Sequence, residues 1–414
     1  MLRYVWKNKI ALILLLLSFW LLPSVISLSE QSKTESIVTA IGIDKNNEEY
    51  EVSLQYIVPS PSGSSEELKI ISQKANTVGS AIEKIKLKLG KLSGFAHCRF
   101  LAFNDEAGKQ NFTEMLDFLV RRKTNTNNII LINTPESAKD LLSMSNKLDS
   151  DLYSFLNNNG FSSEFGDFYD LKTIGDYYGS YFSPVKCMFV NSVGLKSANK
   201  DSASKTSSSS GSSEAGEGAN ASSSENQTKQ EDKEFENKGE LLIIKNEKSL
   251  LTLTEEESNN LSWFNANIKR DTFSVENYSE GHLNNASILF NVFNKIYKAK
   301  SYFKEGKPYF QIDLKLYVRT GEVVAQDLKQ QDYEVLQRKY SKKLLESMKN
   351  TIISSMQKAE KHFKDNTYDV IDCYNSFYKI NSSEFKKINN TLQDKSDFIK
   401  QVNFVYNIDF VQAY

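Results

Sequence analysis

The chain has 414 residues, 40% of them hydrophobic and 25% charged, enough for two or three domains with real cores. Those proportions exclude a wholly disordered or collagen-like chain. With 51 Lys and Arg against 52 Asp and Glu, there is no global basic excess of the kind that marks nucleic-acid binding. Three cysteines (Cys98, Cys187, Cys373) and three histidines (His97, His282, His362) are too few and too scattered for a disulfide framework, a zinc site or a rich acid–base centre. Composition therefore leans away from an enzyme.

Arg3, Lys7 and Lys9 precede an uncharged run from Ile10 to Ser29. Twenty helical residues reach about 30 Å, the thickness of a hydrocarbon core. Cations before the run and Glu30 after it place the start in the cytoplasm and the bulk outside. Residues 1–29 read either as a signal peptide cut near Ser27 or Ser29, or as a retained anchor. In the second reading Ile10, Leu14, Leu17, Trp20, Leu22 and Ile26 face lipid.

The exported part opens with two strands, 37–44 and 50–58, joined by a polar turn; Val52, Leu54 and Tyr56 alternate with Ser53 and Gln55. Pro59–Gly63 breaks the pattern into a loop. Val78, Ile82, Ile85 and Leu89 then fall on one helical face, with Lys84, Lys86 and Lys88 toward water. FAHCRFLAF (95–103) reads as a buried strand, Gln110–Val120 as a helix and Asn128–Asn133 as a strand. Thr134 and Pro135 have the chemistry of an N-cap and a first helical residue. Strands alternating with helices argue for a mixed α/β region over 30–196.

Residues 197–238 begin with a Ser-rich stretch holding almost nothing apolar, which reads as a flexible linker or surface loop dividing the exported chain in two. A second region, 239–414, follows. It opens with strands at Leu241–Lys245 and Ser249–Leu253, then a helix seeded by Thr254-Glu255-Glu256-Glu257, the order of a capping box. Strands are expected around Ile268–Val275, Ala286–Phe293 and Gln311–Arg319. Tyr333, Leu336, Tyr340, Leu344, Met348, Ile352, Met356, Ala359 and Phe363 are spaced by three or four and predict a helix of about nine turns. Its apolar stripe suits packing on the region's own sheet, a partner helix or a membrane surface. Val402–Val411 closes the chain as a strand.

No nucleophile elbow, phosphate loop or dinucleotide glycine pattern occurs. His97 and Cys98, as strand neighbours, would point to opposite faces and so would not grip one metal. Lys84, Lys86, Lys88 and Lys91 form a solvated face or one that meets anionic headgroups. The aromatic run Phe165–Phe182, with Tyr177, Tyr178 and Tyr181, is either a contact patch or partly core.

Taken in order, IVTAIGIDK, YEVSLQYIVPS, LKLGKLSGFAHCRFLAF, EMLDFLVRRKTNTNNIILI and PESAKDLL resemble the Ger(x)C family, the C subunits of nutrient germinant receptors of endospore-forming bacteria. GELLIIKNEKSLLTLTEEESNNLSWF and SSMQKAEKHFKDNTYDVID continue the resemblance in the second region. It implies a multi-domain α/β protein, each domain a mixed sheet flanked by helices, with no catalytic residue, cofactor or metal. It also implies a place on the outer face of the spore's inner membrane, beside membrane-embedded A and B subunits, with membrane lipid and no nucleic acid as further partner. The lipidated cysteine that such proteins carry after the leader has no counterpart near Ile26–Ser29, so the Ile10–Leu28 helix would itself be the anchor. The expected function is a non-enzymatic, membrane-anchored receptor subunit in spore germination. The alternatives are a surface solute-binding protein holding a ligand between its two halves, and a cell-wall hydrolase using His97.

Overall fold

The computed structural model describes residues 36–46, 48–57, 68–90, 95–121, 126–144, 170–197, 233–281, 283–325 and 339–413. The leader, the Pro59–Gly63 loop, Phe165 and the Ser-rich stretch lie outside them. Twelve strands among the described residues form two mixed sheets, and helices pack on both.

The first sheet has eight strands in the order β3-β2-β1-β4-β5-β6-β7-β8. Strands β1 (Ile37–Asn46) and β2 (Glu49–Ile57) are the expected hairpin. Strand β3 (Leu68–Ala75) extends it antiparallel and was not legible, because its KIISQKA alternation is short and polar. Strands β4 (Phe100–Asn104) and β5 (Ile130–Thr134) then run parallel to β1. Helix α1 (Val78–Leu89) carries the predicted face inward, with Thr77 accepting at its N-terminus. Helix α2 (Phe112–Val120) covers the same side.

Helix α3 (Ala138–Ser143) covers the opposite side and starts later than expected. Thr134 ends β5, and Ser137 is the N-cap instead. The reason lies in β1. The carboxylate of Asp44 accepts from Ser137 Oγ at 3.0 Å, Ala138 N at 2.7 Å and Lys139 N at 3.0 Å, so the helix begins where that acceptor stands. Gly42 leaves the room: a β-carbon there would come within 3.2 Å of the Ala138 carbonyl group. Because helices lie on both faces, Ser53 and Gln55 of β2 are as buried as Val52 and Leu54, and Gln55 donates to the Leu142 carbonyl.

The stretch 95–103 is strand only from Phe100 onward; Phe95–His97 is a 3-10 turn. His97 is exposed there and Cys98 is buried, its thiol donating to the Phe100 carbonyl at 3.5 Å.

Strands β6 (Cys187–Ser197), β7 (Lys233–Lys245) and β8 (Lys248–Leu253) complete the first sheet as an antiparallel run. Ser197 pairs with Lys233, so the residues between them join two neighbouring strands of one sheet rather than two separate sheets. Asn246 and Glu247, both at positive φ, make the two-residue turn between β7 and β8.

The second sheet has the order β12-β11-β10-β9. Strands β10 (Leu283–Lys304) and β11 (Lys307–Val324) are far longer than expected and form one hairpin through Glu305-Gly306, again at positive φ. Strand β9 (Asp271–Glu280) flanks β10, and β12 (Asn403–Gln412) runs parallel to β11. Helix α5 (Glu255–Ser262) has the predicted capping box between Thr254 and Glu257, and α4 (Ile174–Tyr181) has another between Thr173 and Asp176.

The long helix, α6, spans Lys342–Asn366. Residues 333–338 lie outside the description, and Tyr340 precedes the N-cap Ser341. The remaining stripe (Leu344, Met348, Ile352, Met356, Ala359, Phe363) is fully buried against the second sheet and α5, so packing within the molecule is what the periodicity encodes. Two helices not anticipated, α7 (Cys373–Ile380) and α8 (Ser383–Thr391), close the end of this core. Asp369, fully buried, accepts from the amides of Ile371, Cys373 and Tyr374 at the start of α7. Burial outweighs those donors and pushes its carboxyl up to about 6.

Candidate functional site

Strand β6 is where the two bodies meet. Alternate residues of a strand face opposite ways, and here each way leads to a different core. Met188 and Val190 enter the core beneath α1 and α2, together with Leu242 and Ile244 of β7. Cys187 and Phe189 enter the core of the second sheet and α6, together with Ile243. Polar contacts pin the same seam. Lys245 Nζ donates to the Thr367 carbonyl at 2.6 Å and pairs with Asp394 at 3.0 Å. Ser396 Oγ donates to the Val185 carbonyl at 3.2 Å, and Asn375 Nδ2 donates to Ser183 Oγ at 3.0 Å.

A cavity of about 350 Å³ opens at this seam. Its walls are β6 (Phe189, Asn191), the Gly239–Leu241 stretch of β7, and α5 with the first residues of β9. Gly239 sits at φ +64°, where a side chain would collide with Glu255 Cγ at 2.7 Å, so a glycine keeps this wall thin. Asp170 braces the mouth, accepting from Asn265 Nδ2 at 2.9 Å and Asn267 Nδ2 at 3.0 Å, with Lys172 paired to it.

The floor is a buried polar group. Ser262 Oγ donates to Asp271, whose other oxygen accepts from the Thr272 amide at 2.8 Å. The Ser262 carbonyl accepts from Lys295 Nζ at 2.7 Å. Lys295 is only 1% exposed. A bulge in β10 between Val292 and Asn294 explains why: it moves the inward set from Phe290 and Val292 to Lys295, and leaves Phe293 partly outside. Burial pulls the lysine down to about 8, against the attraction of Asp271, and burial likewise raises the Asp271 carboxyl.

None of these groups stood out in the sequence. Lys295 reads as one of several lysines in an exposed strand, and only Asn191-Ser192, a polar pair inside the apolar run CMFVNSVGL, carries a signal. The residues that did stand out lie elsewhere. His97 is on the surface, and Cys98, Cys187 and Cys373 are buried, unbridged thiols whose ionisation burial disfavours. Among the described residues no three His, Cys, Asp or Glu side chains come together to hold a metal ion. The aromatic run is divided: Tyr177 is core, packed at a tilt against Phe112, while Phe182 is 79% exposed. Lys84, Lys86 and Lys88 are exposed on α1, with Leu87 projecting between them. Ile10, Leu14, Leu17, Trp20, Leu22 and Ile26 lie outside the described residues, and among the described ones no helix is long and apolar enough to cross a membrane.

Two family models match the chain in order. Residues 30–195 match the spore germination protein N-terminal domain, and residues 239–411 match the spore germination B3/GerAC-like C-terminal domain. The chain belongs to the GerAC-like spore germination family. In this spore germination protein the seam cavity is lined from both matched regions, Phe189 and Asn191 from the first and Gly239 to Thr272 from the second. A crystal structure of the GerBC protein is similar over 90% of this chain and 97% of its own length, at 13% identity and a TM-score of 0.48. No curated protein matches.

Proposed function

We propose that the chain is the non-catalytic C subunit of a nutrient germinant receptor, held at the outer face of the spore's inner membrane by its leader and acting by contact with membrane-embedded A and B subunits. The observation that carries this reading is the ordered match of both germination domains along one chain. The fold supports a contact role physically. A shared strand wall with a core on each face cannot hinge at β6 without exposing apolar surface on one side or the other. Such a body transmits a position rather than changing shape. The exposed Lys84, Lys86, Lys88 and Leu87 of α1 suit a face that touches anionic headgroups, since cations and one apolar side chain there meet phosphate and the lipid boundary.

The test is made in spores. An affinity-tagged full-length chain is expected to co-purify from inner membranes with its A and B subunits. A strain lacking the chain is expected to stop responding to one class of nutrient while still germinating with a non-nutrient trigger. Recovery of the tagged chain free of both subunits, with nutrient germination intact in the deletion strain, would overturn the proposal.

A further inference from the structure

Two residues that line the seam cavity carry buried polar side-chain atoms with no partner among the described residues. Three buried side-chain polar atoms among the described residues have no hydrogen-bond partner: Asn191 Oδ1, Ser258 Oγ and Ser301 Oγ. Two of the three belong to residues that line this one cavity. Asn191 is 3% exposed and Ser258 8% exposed, so bulk water does not explain either. Native proteins almost always pair such groups, with protein, ordered water or ligand. The volume, about 350 Å³, falls in the range of sites for small molecules.

Charge gives the class of ligand. Among the described residues four carboxylates border the space, Asp170, Glu240, Glu255 and Asp271, and one guanidinium, that of Arg270. Asp170 is taken up by Asn265, Asn267 and Lys172, and Asp271 by Ser262 and the Thr272 amide. Glu240 and Glu255 remain as the acids of the opening. Asn191 Oδ1 is an acceptor only, and the Ser258 hydroxyl accepts as well as donates. An occupant that gives hydrogen bonds and brings positive charge satisfies both.

We infer that the seam cavity is a binding site for a small organic ammonium compound, whose N–H groups meet Asn191 Oδ1 and Ser258 Oγ and whose charge is balanced by Glu240 and Glu255. Apolar Phe189, Leu241 and Ile268 line the rest and receive a short carbon chain. The site stands on the cavity and not on receptor membership, so a chain that binds no such compound still serves as a scaffold.

The full-length protein in detergent micelles is titrated by calorimetry with L-lysine and 1,4-diaminobutane, with glucose and succinate as neutral and anionic comparisons. One saturable site for an ammonium probe is expected, with affinity falling as salt rises, as Coulomb attraction at a partly exposed rim requires. Ser258→Ala separates ligand from structure. It replaces an unpaired hydroxyl with a better helix former, so the ligand-free protein melts at the same temperature or higher. The same variant is expected to bind the probe about tenfold more weakly, a loss of one hydrogen bond to a charged group. Glu255→Gln is expected to weaken binding and reduce its salt dependence. No binding of either ammonium probe into the millimolar range means a cavity filled by water alone and overturns the proposal. So does tighter binding of glucose or succinate, or a Ser258→Ala protein that melts lower and binds as well as the parent.

Discussion

Met188 and Phe189 are adjacent in β6, equally buried and point into different cores. Replacing each in turn by alanine tests whether the molecule folds as one unit across the seam. Truncating a buried Met costs about 2–5 kcal/mol and a buried Phe about 3–5 kcal/mol, the lost transfer energy plus the cavity left behind. Phe189 also loses the ammonium of Lys172, which lies 4.7 Å from its ring centre. Urea sensitivity scales with the surface exposed on unfolding, and about 3 kcal/mol per M suits a body of this size. Each variant therefore lowers the midpoint by about 1 M. Because both residues hang from one strand, loss of either face loosens the other. Residues 30–414, followed in urea by circular dichroism and by tryptophan fluorescence, are expected to show one transition by both probes, displaced in both variants. Of the three tryptophans, Trp6 and Trp20 precede residue 30, so the signal comes from Trp263, which packs on Phe273 in the second core. Fluorescence thus reports the second core while circular dichroism reports the whole. Two separate transitions, with Met188→Ala moving one and Phe189→Ala the other, would refute the shared wall and restore a division at the Ser-rich stretch.

Three further outcomes follow from the same geometry. Ile352→Asp, in the middle of the α6 stripe, places an unpaired charge in the second core and is expected to leave little folded protein, whereas Gln357→Glu on the exposed side changes the urea midpoint negligibly; equal tolerance of both would return the stripe to a partner surface. Thr254→Ala removes the hydroxyl that accepts from the Glu257 amide and donates to its carboxylate, and thermal melts are expected to show a loss of about 1 kcal/mol. Asp369 has a folded pKa raised to about 6 from 3.8, so the folded state binds its proton more tightly than the unfolded chain does. Its contribution is complete below about pH 4 and lost as pH rises through about 6, in total about 3 kcal/mol by linkage. Asp369→Asn is therefore expected to flatten the fall in stability between pH 4.5 and about pH 7, read by urea midpoints at each pH. A fall of unchanged size assigns it to other groups.

What the sequence disclosed was local, and its failures share a cause. The capping box at Thr254 and the α6 stripe were legible because each is settled by residues three or four apart in the chain. IVTAIGID shows the boundary of that legibility. Its apolar alternation announces a strand, but Gly42 and Asp44 act on a helix that starts more than 90 residues later, and Asp44 moves that helix's start from Thr134 to Ser137. The same holds for β2, where helices on both faces bury Ser53 and Gln55 along with their apolar neighbours. The turn between β7 and β8 was placed by its flanking strands, but the positive φ of Asn246 and Glu247 was not, since composition alone does not mark it.

The seam was the least legible part, because no single segment contains it. Asn191 and Ser258 are polar residues in elements that look amphipathic, and either alone reads as solvent-facing. They become a site only when β6 serves as a wall with a core on each side, so that neither face is free for water. Lys295 makes the same point from the opposite direction. Strict alternation from Phe290 and Val292 would put it outside, and one extra residue in the bulge turns it onto Ser262. A deletion of Phe293 would remove the bulge and restore alternation. With Phe293 gone Lys295 stands two positions after Val292, on the same inward face, so the deletion is expected to keep the lysine on Ser262 and its ammonium below the ordinary range. The measurement is the ammonium titration of a specifically labelled Lys295 by NMR, in the parent and in the deletion. A parent Lys295 that titrates like a surface lysine would show that the bulge does not hold it inside.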